Sequence, residues 1–129
     1  MQIYTPDEAI ARASQLLEFL AQNSNTIPIN RIAIAKFNAT VATAQVWTEK
    51  TASIDTCKKI EELLGILYNL VLDSLEAESK IEIQDANNWI SFEGLSDEKD
   101  KLRLAALLDC FEIAGSTCYC AIHGHFPSA

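Results

Sequence analysis

A chain of 129 residues with 49% apolar and 22% charged residues can bury one hydrophobic core, which argues against a disordered chain and for a single helical domain over residues 1–129. Four glycines and three prolines leave too little turn chemistry for a sandwich or barrel of many short strands, so the elements should be few and long. A formal net charge of −8 disfavours direct nucleic-acid binding and favours a basic protein partner.

No stretch reaches the roughly 18 uninterrupted apolar residues of a membrane span. The nearest, Leu63 to Leu72, is flanked by Glu61, Glu62 and Asp73. Residues Met1 to Asp7 lack the basic and apolar regions of a secretory signal, so the expectation is a cytoplasmic protein without membrane contact. Cys57, Cys110, Cys118 and Cys120 then read as buried free thiols.

Thr5-Pro6-Asp7-Glu8 sets a hydroxyl at the N-cap, proline at the first helical position and glutamate three residues after the cap, so a first helix should begin at 6. Ile10, Ala13, Leu16, Leu17, Leu20 and Ala21 then recur three and four apart until Gln22-Asn23-Ser24-Asn25 ends the stripe. After Thr26-Ile27-Pro28, a second stripe of Ile29, Ala33, Phe37, Thr40, Val41, Ala44 and Trp47, widened by Ile32 and Ile34, predicts a helix over 29–50. Ser53 is positioned to cap a third helix. Its apolar residues fall on two lines, Cys57-Ile60-Leu64-Leu67-Val71-Leu75 and Leu63-Ile66-Leu70, which predicts a central place in a bundle.

From 80 to 94 the pattern changes to alternation, with Ile81 and Ile83 before Asp85-Ala86-Asn87-Asn88 and Trp89-Ile90-Ser91-Phe92-Glu93 after it. Alternation of that kind suggests a small β-hairpin. The rival continues helix three through Ile81 and starts a short helix at Asp85. Ser96 followed by Asp97-Glu98 marks another helix start, and Leu104, Leu107, Leu108, Phe111, Ala114 and Cys118 carry its apolar face toward a C-cap at Gly124. Cys110 is counted with that core face. The expected architecture is mainly α, a bundle of about four principal helices with a hairpin or short helix at 80–94.

Charge is distributed unevenly. Residues 1–60 hold five acids and six bases, whereas residues 61–129 hold thirteen acids and four bases. Nine of those acids lie between Asp73 and Asp100, against only Lys80 and Lys99. The preferred reading is a non-enzymatic interaction module of inhibitor, immunity or adaptor type, which offers this acidic segment to a basic partner and even imitates nucleic acid. Its candidate binding residues are Glu82, Asp85, Trp89, Glu93, Asp97 and Glu98, with Trp89 as an aromatic anchor. The bland alternative is a solvated face that serves solubility.

Two rivals stand beside it. Cys118, Cys120, His123 and His125 fall within eight residues and carry the ligand types zinc prefers, which would suit a metal- or thiol-dependent enzyme. On a helix only Cys120 and His123 share a face, so the simpler expectation is core cysteines, exposed histidines, and neither metal nor cofactor. The other rival is a self-associating module, since helices two and three carry apolar residues beyond a narrow stripe and can bury a surplus face in a homodimer.

Overall fold

A computed structural model describes residues 4–84 and 89–127 of the chain. Four helices, α1 (Pro6–Asn23), α2 (Arg31–Thr48), α3 (Ile54–Ala77) and α4 (Glu98–His123), form a bundle, and strands β1 (Glu82–Gln84) and β2 (Trp89–Ser91) lie between the last two. Sequential helices pack on one another, α1 closes the ring against α4, and α1 also touches α3 across the diagonal. α3 therefore meets all three other helices, as its double apolar line predicts.

Local chemistry sets each helix start. The Thr5 side chain accepts from the Glu8 amide while Glu8 returns a bond to the Thr5 amide, a complete capping box. Asn30 accepts from the Ala33 amide to open α2, and Ser53 accepts from the Thr56 amide to open α3. The buried Thr56 hydroxyl donates 2.9 Å to the Thr51 carbonyl, so the turn before α3 leaves no orphaned group there. α4 begins one residue later than its sequence suggests. Asp97, not Ser96, is its N-cap and accepts from the Lys99 amide at 2.9 Å. At the far end Gly124 adopts φ 80°, and its amide donates to the Cys120 carbonyl, closing α4 as expected of a glycine cap.

One contiguous core runs along the bundle, and its largest fully buried members are Phe37, Leu17, Leu20, Ile60, Leu67, Leu75 and Leu104. Several apolar expectations need correction, since Ala21 and Ile66 of the predicted stripes are exposed, as are two further residues. Ile32 does not widen the buried face of α2 but stands 74% exposed, since it lies next to Ala33 and so turns about 100° away from the core line. Cys110 is exposed rather than core, because it precedes Phe111 by one residue and faces outward beside Phe19 of α1. Trp47 sits at the rim, half-buried, with the Lys50 ammonium 5.0 Å and the Lys59 ammonium 6.0 Å from its ring centre. By length and composition alone α4 is apolar enough to cross a membrane, although Asp109 and Glu112 interrupt its apolar run. In the bundle its Leu104, Leu107, Leu108, Phe111, Ala114 and Cys118 face is buried.

The segment between α3 and α4 resolves in favour of the hairpin. β1 and β2 pair antiparallel with Glu82 opposite Ser91, Ile83 opposite Ile90 and Gln84 opposite Trp89. α3 cannot run on into it, because Ser79 takes φ 59° and turns the chain out of the helix. Behind the turn, Lys80 donates 2.8 Å to the Pro28 carbonyl and pairs with Glu78 at 2.8 Å, tying the hairpin base to the α1–α2 connection. Gly94 is indispensable at this crossing. A Cβ there would lie 2.0 Å from the Ser79 carbonyl oxygen and 2.7 Å from that of Lys80.

Candidate functional site

At the hairpin end the acidic segment becomes a surface. Glu76 projects from the last turn of α3, Glu82 from β1 and Glu93 from the turn after β2; all three are exposed. They line one shallow depression together with Ser79, Ser91, the buried Ile81 and Gly94. No basic residue lies in the last turn of α3, and although the Leu75 and Glu76 carbonyls accept from the Lys80 and Ser79 amides, the C-terminal end of that helix still directs its partial negative charge toward the carboxylates. None of the three makes an ion pair among the described residues. Other acids of the segment behave differently. The hydrogen bond from Lys80 holds the Glu78 carboxyl below the usual carboxylate range, and Glu98 is paired with Lys101 at 3.1 Å.

The residues expected to form the site therefore separate into two groups. Glu82 and Glu93 share the depression, whereas Asp97 caps α4 and Glu98 lies in its first turn. Asp85 and the side chain of Trp89 lie outside the described residues. Glu76 is the member that the sequence pattern does not single out. It joins Glu82 and Glu93 only because the Ser79 turn brings β1 back beside the end of α3.

The cysteine and histidine tail does not assemble a ligand set. Cys118 and Cys120 face the interior of α4's packing surface, while His123 and His125 are exposed around Tyr119, with ring centres 4.2 and 5.7 Å from it. Among the described residues no three His, Cys, Asp or Glu side chains converge as metal ligands would. Burial, reinforced by Cys57 and Glu61, pushes the Cys118 thiol up to about 12, so at neutral pH it is a thiol and not the thiolate that nucleophilic chemistry needs.

Two further surfaces belong to the side of the bundle. Between α2 and α3, Ile32, Ile66 and Leu70 border a groove that Ser74 also lines, its buried hydroxyl without a hydrogen-bond partner among the described residues. Between α3 and α4 runs a cleft bordered by Glu61, Gly65 and Tyr68 on one helix and by Phe111, Gly115 and Tyr119 on the other. Burial raises the Glu61 carboxyl above its usual range, and the nearby His123 partly offsets this. No protein-family model, curated protein or solved structure matches the chain.

Proposed function

We propose that the chain is a non-enzymatic interaction module which presents its hairpin end to a basic protein partner and receives an arginine or lysine side chain in the depression between Glu76, Glu82 and Glu93. The observation that carries this reading is the convergence of three exposed, unpaired carboxylates at the carbonyl end of α3. An arginine entering there would lay its aliphatic stem on Ile81 and its guanidinium among carboxylate and serine oxygens, which suits its fixed fork of donors. Charge at this end also steers encounter, since a cluster of like charge raises the association rate of an oppositely charged partner.

The experiment compares two triple charge reversals of equal net change, binding an arginine-rich peptide. Glu76→Lys, Glu82→Lys and Glu93→Lys alter the depression; Glu18→Lys, Glu49→Lys and Glu62→Lys alter exposed positions elsewhere on the bundle. The first set should slow association by about tenfold or more, and the second by about twofold or less. For the wild-type chain the on-rate should fall steeply as ionic strength rises past 0.1 M, where the screening length is about 10 Å. Equal responses of the two triple variants would reduce the acidic end to a solvated face.

A further inference from the structure

Glycine inside a helix costs stability relative to alanine, so its presence there calls for a reason. Gly65 stands near the middle of α3 and Gly115 in the second half of α4. At most such positions the reason is close packing, but a Cβ built at either one meets nothing within 4 Å. The bundle would accept alanine at both. What the two glycines share is the cleft between α3 and α4, whose volume of about 470 Å³ they widen from opposite walls and which is of the size that holds a small ligand.

The remaining walls specify the chemistry. Tyr68 and Tyr119 are half-buried and Phe111 is buried at the base, with the Tyr68 and Phe111 rings edge to face at 6.0 Å. Glu61 and Glu112 bring two carboxylates, and among the described residues no lysine or arginine lines the cleft. Glu61 is half-buried and makes no ion pair among the described residues. A carboxylate withdrawn from water without a partner is costly, and a cation beside it removes that cost. Aromatic faces next to a carboxylate are the recognition chemistry of ammonium groups. An anionic ligand would be repelled, and a neutral one would leave Glu61 with only the partial offset that the nearby His123 gives it.

We infer that the α3–α4 cleft binds a small organic ammonium ion, a protonated amine whose apolar body lies along Gly65 and Gly115 and whose charge sits between the Glu61 carboxylate and the rings of Tyr68 and Tyr119. This site is separate from the acidic depression at the hairpin end, and its test does not depend on that surface. The Glu61 carboxylate supplies the charge, Tyr68 and the part of the Tyr119 ring not packed against His123 supply aromatic surface for the cation, and the glycines supply room.

The test is a titration of the isotopically labelled full chain with phenethylamine, with its N-trimethyl derivative and with the neutral isostere 2-phenylethanol, followed by backbone amide resonances. Both cations should move the Gly65 and Gly115 signals, and the alcohol should bind about tenfold more weakly, the ratio one charge-assisted contact provides. Glu61→Gln should reduce amine affinity about tenfold, to the level of the alcohol. Gly115→Leu should abolish binding by filling the cleft. Because a leucine there can disturb packing, Gly115→Ala is measured beside it; it should keep or raise the melting temperature while weakening the amine. No movement of either glycine signal up to about 10 mM amine, an alcohol that binds as well as the amines, or an unchanged affinity in Glu61→Gln each overturns the assignment. Tighter binding of a lysine-containing peptide than of the free amines would transfer the cation to a protein partner and overturn it as a small-ligand site.

Discussion

At the scale of single residues, the four cysteines separate by exposure rather than by spacing. Cys57, Cys118 and Cys120 are buried and Cys110 is exposed. In the native protein a chromogenic disulfide reagent should therefore modify Cys110 rapidly and the other three only after denaturation; rapid reaction of two or more thiols would contradict the packing of α4. Cys118 also gives the fold an alkaline limit. Its folded thiol lies near 12, against an ordinary value of 9.0, so the neutral form is the one the folded state favours. The stability it contributes is complete below pH 9 and is lost as pH rises from there through about 12, amounting to at most about 4 kcal/mol. Cys57 and Tyr68 are shifted in the same direction by burial and add to the effect. Circular dichroism against pH should show unfolding inside that window, and Cys118→Val, which cannot ionise, should move the midpoint upward.

Elements in this protein are specified mainly at their starts. The Asp97 cap makes a sharp case, because Ser96 and Asp97 are both good capping types and only the backbone decides between them. Asp97 has the extended φ and ψ of an N-cap and holds the Lys99 amide, so Asp97→Ala should cost about 0.5–2 kcal/mol in chemical denaturation. Ser96→Ala should cost a few tenths at most, as an exposed position outside the helix does. The reverse order would move the start of α4 back by one residue. The hairpin was distinguishable from a continued helix by alternation at Ile81, Ile83 and Ile90, yet no pattern in the sequence announces the left-handed Ser79 that ends α3. Serine is an uncommon choice there, which is why the helix end was harder to place than its beginning.

For the whole molecule, the bundle was legible because the main apolar line of each helix is the one the fold buries, while residues beside those lines, such as Ile32, Ile66 and Cys110, are exposed. Leu67 illustrates this. It lies on the longer apolar line of α3, is fully buried, and should cost about 2–5 kcal/mol on replacement by alanine through lost burial and a residual cavity; a change near zero would place α3 outside the core. The candidate sites were less legible, since both depend on which segments the topology brings together. The acidic count along the chain revealed a negative segment, but α3 and α4 run the length of the bundle, so the division of charge between sequence halves became a division between ends only where the hairpin folds back. Glu76 belongs with Glu82 and Glu93 for that reason. The α3–α4 cleft was less visible still. Gly65 and Gly115 are 50 residues apart, and each alone reads as a weak point in a helix until the pairing of α3 with α4 sets them on facing walls.

The contact at Gly94 has a consequence for how the acidic end would meet a partner. With the Ser79 carbonyl occupying the space where a side chain would be, the turn after β2 is pressed against the end of α3, and Lys80 fastens the same junction to the α1–α2 connection. Glu76, Glu82 and Glu93 thus project from backbone held by this junction, and if the proposed partner binds there, association would have to immobilise their side chains but not the segments that carry them. Ordering a loop on binding subtracts from affinity, so a frame set in advance leaves more of the electrostatic attraction to appear as binding free energy. Any side chain at position 94 would force the two segments apart and return that ordering cost to the binding step.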